Sequence, residues 1–325
     1  MKAWQVHAWG EPESMEFAEI AEPTPGPGQV VIRNLAAGLN FFDILQIQGK
    51  YQVKPPFPFT PGAEVAGTIK AVGAGVTGFQ KGDAVLALTF QGGMAECSLA
   101  QADRTFRVPE GMGYPEAATM PVVYQTSLFA LRDRAALKPG EWLLVHAGAS
   151  GVGTSAIQLG KAFGARVIAT AGTAKKLEFC RANGAEHALS YTDPGWVEEV
   201  KRITGGRGAN VIYDPVGGDV FDLSTKCIAP GGRLLVIGFA SGRIPSIQAN
   251  RILLKNIAVV GAVWGGHVQL HPEYLEEAHA ALAELYAAGK IRPPQPVAFQ
   301  LSEAPRALRD LAERKVSGKA ALIAS

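Results

Sequence analysis

Cysteine is scarce. The 325 residues hold three, Cys97, Cys180 and Cys227, odd in number, far apart and without a Cys-x-x-Cys pair. That excludes a disulfide framework and a zinc knuckle built from neighbouring cysteines. Thiols left reduced suit a cytoplasmic protein. An excess of one charge is missing too. Lys plus Arg is 31 against 29 for Asp plus Glu, a formal charge of +2, with no basic run, so no nucleic-acid surface is expected. Long apolar runs are absent: Ile257 to Trp264 is too short to cross a bilayer. Lys2, Gln5 and His7 interrupt any apolar core of a signal segment. No Ser-His-Asp or paired-carboxylate arrangement is visible. His146 falls in an expected strand, and His187, His267, His271 and His279 form no spaced set.

What is present is apolar. Hydrophobic residues make up 47% and charged residues 18%, enough to bury a sizeable core and to exclude disorder. The length suits about two domains at roughly 150 residues each. The most informative stretch is Gly140 to Lys176. Leu143 to Ala147 reads as a strand, Gly148-Ala149-Ser150-Gly151-Val152-Gly153 as a turn, Thr154 to Phe163 as a helix closed by Gly164, and Arg166 to Ala169 as a second strand. Strand, glycine turn, helix and strand form a dinucleotide site. The glycines let backbone N–H groups approach a pyrophosphate, and the helix N-terminus favours its charge. Ser150 stands where a second glycine often sits; its hydroxyl either bonds a phosphate or is simply tolerated.

The region that meets a ribose 2′-hydroxyl in NAD-binding proteins usually carries an acid about 20 residues after the first glycines. Here Ile168 to Lys176 holds none, and Lys175 and Lys176 follow a neutral Gly172-Thr173 turn. A lysine attracts a 2′-phosphate that a carboxylate would repel, so the cofactor is expected to be NADPH.

The first third is rich in Gly and Pro, with short β-type runs at Val30 to Ile32, Val65 to Val72 and Ala84 to Leu88. This spacing argues for a small barrel or sandwich, interrupted by one helical turn at Asn40 to Leu45. Leu39-Asn40-Phe41-Phe42-Asp43, Gly49-Lys50-Tyr51, Pro58 to Gly67, Val72-Gly73 and Gly82-Asp83 resemble the medium-chain dehydrogenase/reductase superfamily, specifically its zinc-free, zeta-crystallin-like NADPH:quinone oxidoreductase branch. The resemblance runs through almost the whole chain. It implies an α/β protein: a Rossmann doubly wound parallel sheet over 123–266, plus a discontinuous GroES-like β-barrel catalytic domain over 1–122 and 267–325. It also implies a homodimer, paired at the edge near Ile257 to Trp264.

The zinc-dependent members place a cysteine near Asn40 and a histidine at Ala63, so no metal is expected. The resemblance implies that Asn40 faces the nicotinamide and the substrate carbonyl; the residue type alone also fits a helix cap. Tyr51 is either a rim aromatic or a pocket group that bonds substrate, and Asp43 is read as structural. Thr126, in a helix expected over 122–131, either touches the cofactor, as the resemblance suggests, or back-bonds to its own helix. The resemblance points to Lys176, with Tyr191 nearby, for the 2′-phosphate. It also sets Asp214-Pro215-Val216-Gly217 over the cofactor. Gly217, Gly238, Phe239 and Gly261 are expected at strand ends. Lys319 either reaches a cofactor phosphate or ends the last strand in water. The expected activity is hydride transfer from NADPH to a quinone or an α,β-unsaturated carbonyl (an enone). The alternatives are an enoyl- or acryloyl-thioester reductase, or an NADPH-binding protein without turnover that acts as a structural or RNA-binding factor.

Overall fold

The run around Leu143 forms the strand Trp142–Val145, and five more line up beside it in the computed structural model, which describes residues 1–324. Across the sheet the order is His187–Ser190, Arg166–Ala171, Trp142–Val145, Ala209–Asp214, Ile228–Val236 and Ala258–Gly261. Every pair is parallel. Leu144, Ile168, Ile212 and Leu234 lie in its core with Trp196, Val200 and Phe221 from crossover helices. Strands covered on both faces need near-continuous apolar runs, and the central Trp142–Val145, Arg166–Ala171 and Ala209–Asp214 have them. The chain runs outward one way through the first three strands in sequence and the other way through the last three. The reversal falls between Trp142–Val145 and Ala209–Asp214, where such sheets open a crevice at their carboxyl ends.

A second sheet, of seven strands, is largely antiparallel, and Lys2–Gln5 pairs separately with Glu16–Glu19. The path of the seven-stranded sheet is Val297–Gln300, Ala320–Ile323, Gln29–Leu39, Glu64–Val72, Ala84–Leu88 and Thr105–Arg107, with Cys97–Gln101 also on Gln29–Leu39. Gln29–Leu39 shifts register against Glu64–Val72 at Val31/Ile32 and at Asn34/Ala36. Such bulges bend a strand, and this one pairs Cys97–Gln101 through its first half and Ala320–Ile323 through its second. Gly38 is required there: a Cβ would lie 2.3 Å from the Ala118 carbonyl and 2.7 Å from Glu64 Oε1. The expected helical turn forms as Phe41–Ile47.

The chain divides into two compact units. One is Met1–Val122, Leu275–Ala283 and the residues from Pro293; the other is Val123–Tyr274 and Glu284–Arg292. This differs from a single return at residue 267. Tyr274 stays with the second unit through its hydroxyl on Asp133 and its ring on Phe129. Arg292 stays there through two hydrogen bonds with Gln158. His279, by contrast, stacks on Phe106 of the first unit.

Three further elements differ from expectation. The helix expected over 122–131 is Pro121–Leu128, continued by a wider π-type turn at Phe129–Arg134. Of the apolar run 257–264 only Ala258–Gly261 is extended, and Trp264–Leu270 is helical. The dinucleotide helix starts at Gly151 rather than Thr154. No helix among the described residues is long and apolar enough to cross a membrane.

Candidate active site

Because the six parallel strands point one way, the loops after their carboxyl ends share one edge of the second unit. Ala147 takes φ 48° and turns the chain out of the first strand. The glycines that follow serve the protein's own packing first. A Cβ on Gly153 would lie 2.2 Å from the Ala147 carbonyl, and one on Gly148 2.9 Å from Ala169 Cβ and Cys180 Sγ. Ser150 is the N-cap of helix Gly151–Ala162: its Oγ accepts the Gly153 N–H at 3.1 Å. Its oxygen therefore serves the helix as an acceptor, while its O–H keeps its donor capacity. Ala149 is buried, while Gly151 and Val152 are half-buried. First-turn N–H groups have no carbonyl four residues back, so the amides of Gly151 and Val152 are the ones offered to an anion. A tight turn closed by backbone contacts, followed by a capped helix N-terminus, fits the diphosphate of a dinucleotide.

The second strand ends in the turn Gly172-Thr173, which carries no acid. Thr173 caps helix Ala174–Ala182 by accepting the Lys176 N–H at 3.3 Å. Lys175 is exposed, whereas Lys176 is half-buried. Tyr191 follows the outer strand, with its hydroxyl 2.8 Å from where a Gly172 Cβ would be. Gly172 thus makes room for the phenol beside the Thr173 and Lys176 cap.

Asp214 ends its strand fully buried, and its Oδ1 accepts the N–H groups of Val216 at 2.8 Å and Gly217 at 3.0 Å. It shapes the loop rather than presenting a carboxylate to a ligand. Gly217, at φ 69°, packs against the Phe239 ring. Gly238 and the exposed Phe239 follow the next strand, and Gly261 ends the edge strand with its carbonyl on Arg134 Nε at 2.9 Å. Thr126 is half-buried between buried neighbours. Its hydroxyl makes no back-bond among the described residues, unlike those of Thr119 and Thr204. His146 is a core residue: Thr170 and Ser224 hold its two ring nitrogens at 2.9 and 2.8 Å. Burial pushes its pKa down.

In the first unit, Asn40 begins helix Phe41–Ile47 at the centre of a buried polar group. Its Oδ1 accepts from Lys319 Nζ at 2.6 Å, and its Nδ2 donates to Glu64 Oε1 at 2.9 Å. Asp43, one turn on, accepts the Asn40 N–H through Oδ2 at 2.7 Å. Tyr51 is half-buried and stacks on Phe42 with ring centroids 5.3 Å apart. Burial raises its pKa, and so does the charge of Asp43.

Lys319 does neither of the things expected of it. It is 7% exposed, and all three of its N–H bonds are taken, by the Leu39 carbonyl at 2.7 Å, Asn40 Oδ1 and Glu64 Oε1. An ammonium has three donors and no more, so none is left for a cofactor phosphate. Glu64, at the centre of this group, gives no local signal of that place in the sequence, because its partners are distant along the chain. Ala63 and Asn40 supply no imidazole or thiolate, and the described residues bring together no group of three His, Cys, Asp or Glu side chains able to hold a metal.

Residues 151–284 match the family model of zinc-binding dehydrogenases, and residues 26–133 that of the alcohol dehydrogenase GroES-like domain. A quinone oxidoreductase-like protein 2 homolog of Nematostella vectensis is 39% identical over 297 residues, covering 90% of this chain and 81% of that one. The solved quinone oxidoreductase of Escherichia coli, complexed with NADPH, superposes with a TM-score of 0.92 at 31% identity, covering 99% and 100% of the two chains. The solved CurK enoyl reductase gives 0.90 at 26%, covering 100% and 99%. A Rossmann-type parallel sheet and a GroES-like unit in one chain define an oxidoreductase of the medium-chain dehydrogenase/reductase superfamily. Within it, this chain belongs to the quinone oxidoreductase family.

Asp43 gives this site a pH signature. Burial pushes its carboxyl up to about 7, although the Asn40 N–H and Lys319 pull it down; Glu64 adds to the rise. Unfolded, it titrates near ~3.9. Between these values the folded chain keeps a proton that the unfolded chain releases. That contribution to stability is complete at acid pH and is lost as pH rises through about 7. Asp43→Asn keeps an acceptor for the Asn40 N–H and removes the titration. Urea midpoints measured from pH 5 to pH 8 are expected to fall in the parent and to flatten in the variant; parallel profiles would contradict this assignment.

Proposed function

We propose that this chain is an NADPH-dependent oxidoreductase that delivers a hydride to quinones or α,β-unsaturated carbonyls without a metal, in the cytoplasm. The observation that carries the reading is the acid-free turn Gly172-Thr173 with the half-buried Lys176 capped against it. NADPH, when bound, supplies the hydride. Gly151 and Val152 hold its diphosphate through their N–H groups, on a turn shaped by Gly148, Ala149, Ser150 and Gly153. Thr173, Lys176 and Tyr191 receive the 2′-phosphate, and Gly172 leaves room for it. The loops of Asp214, Val216 and Gly217 and of Gly238 and Phe239 bound the same edge. Asn40, Tyr51 and Thr126 orient the acceptor and the nicotinamide. With imidazole and thiolate ligands missing at Asn40 and Ala63, positioning and hydrogen bonds to the developing oxyanion must lower the barrier. That suits acceptors that take electrons readily.

Likeness to an enoyl reductase supports a second reading, reduction of an enoyl or acryloyl thioester on the same scaffold. The edge strand Ala258–Gly261, with Ile244, Leu253, Leu254, Val263 and Leu270 exposed in the same unit, supports a homodimer, because an open apolar edge calls for a partner.

Three outcomes are expected. NADPH oxidation against a panel of quinones, enones and acyl thioesters should be fastest with one of the first two classes and survive chelation. Fastest turnover with the thioesters selects the second reading. Tight NADPH binding without turnover, or loss of activity with EDTA, overturns the catalytic or the metal-free part. Lys176→Glu should raise KM for NADPH about tenfold or more relative to NADH, in line with charge-assisted bonds of about 1.5–3 kcal/mol; an unchanged ratio removes Lys176 from the phosphate site. Light scattering should give twice the chain mass, and a monomer at working concentration would refute the dimer.

A further inference from the structure

The amide of Asn40 is gripped at both ends. A buried cation, Lys319, touches its oxygen at 2.6 Å, and a fully buried carboxylate, Glu64, takes one of its N–H bonds at 2.9 Å. The two oxygens of Glu64 divide the work. Oε1 receives Lys319 at 2.7 Å together with Asn40, and Oε2 receives the Val122 N–H at 2.8 Å. An asparagine side chain can usually be turned end for end at little cost, because its two ends are alike in shape. Here that rotation would set the NH2 group against the ammonium and the amide oxygen against the carboxylate. Both contacts would be repulsive, so one orientation is enforced.

Two features follow from that orientation. An amide nitrogen has two N–H bonds, and Glu64 uses one; the other has no acceptor among the described residues. A cation on the amide oxygen also draws electron density away from the nitrogen. In a buried network such polarisation strengthens the remaining donor.

We propose that Lys319 is a positioning residue for the reduction: it locks and polarises the Asn40 amide so that the free Nδ2–H is kept for the acceptor oxygen on which charge develops. This rests on the reading of Asn40 as the acceptor-facing group. Lys319 itself touches neither cofactor nor acceptor. Its place in the fold explains why a lysine is needed. A single ammonium reaches the Leu39 carbonyl, Asn40 and Glu64 at once, a convergence that a planar guanidinium cannot reproduce.

Removing Lys319 alone would strand the Glu64 charge in the interior, so the test uses the neutral pair Lys319→Met with Glu64→Gln, and separately Lys319→Arg, which keeps the charge. Each is made in the full chain, with and without Asn40→Ala. The measurements are kcat, KM for quinone, NADPH affinity by fluorescence and thermal midpoint. In both Lys319 variants kcat is expected to fall about 10- to 100-fold, the scale of a displaced catalytic group, with NADPH affinity within about twofold of the parent. In the Asn40→Ala background the same changes should cost little more, since they act through that amide. A purely structural role would lower the thermal midpoint and leave kcat per folded molecule unchanged, which overturns the proposal. So would weakened NADPH binding at constant kcat, which would make Lys319 a phosphate contact after all, or losses that add fully to those of Asn40→Ala. A parent protein that binds NADPH but turns over no acceptor overturns the underlying functional reading instead.

Discussion

One buried carboxylate holds the polar centre of the first unit together. Glu64 accepts from Lys319, from the Asn40 side chain and from the Val122 backbone. Its partners come from the residue before the strand Ala320–Ile323, from the start of a short helix and from the head of the helix Pro121–Leu128. Removing two opposite charges from water costs several kcal/mol for each, and only close pairing with complete hydrogen bonding offsets it. Both members meet that condition: Lys319 spends three donors, and Glu64 fills both oxygens. Asp43 beside them does not, since its Oδ1 is buried without a partner. Burial accordingly pushes the Asp43 carboxyl toward its neutral form.

The second unit solves a different problem by subtraction. Its first turn works because side chains are missing at Gly148 and Gly153, where the helix and the neighbouring strand come too close for a Cβ. The part of the motif with unspent backbone donors is smaller than its glycine count suggests, because only the first helical amides are left over. At Gly172 the missing Cβ admits a tyrosine ring. Asp214 spends one oxygen bending its own loop. Glycine and a buried acid thus build the walls, and few side chains stand beside the Gly172 turn: Thr173, Lys176 and Tyr191.

Local pattern carried a good deal of this. The strands at Leu143, Val65 and Ala84 were legible from apolar runs bounded by glycine, and the alternation with helices indicated a parallel sheet. Trp264 was not legible as helical, because a short apolar run fits a strand or a buried helix equally well. Ser150 and Asp43 carried readable signals, a serine before a helix and an acid three residues after an asparagine, but the first looked like a blemish in a phosphate loop. Lys319 could not have been read at all. In sequence it is a lysine beside glycine near a strand, which ordinarily means solvent. Its burial follows from Ala320 pairing with Leu39, a long-range contact that no local spacing encodes. The contacts of the Asn40 amide were equally hidden, because Glu64 and Lys319 are distant from it in sequence.

Lys319 is 279 residues further along the chain than Asn40. At about 5–20 residues per second of synthesis, a ribosome makes the amide and the carboxylate on the order of tens of seconds before the cation that joins them. During that interval the nascent first unit holds Glu64 with no counter-ion, and its polar centre cannot close. Most of the antiparallel sheet can pair early, yet the centre must wait for the segment that carries Lys319. The polar centre therefore closes in one late step, when Lys319 arrives, and not piece by piece as each segment emerges.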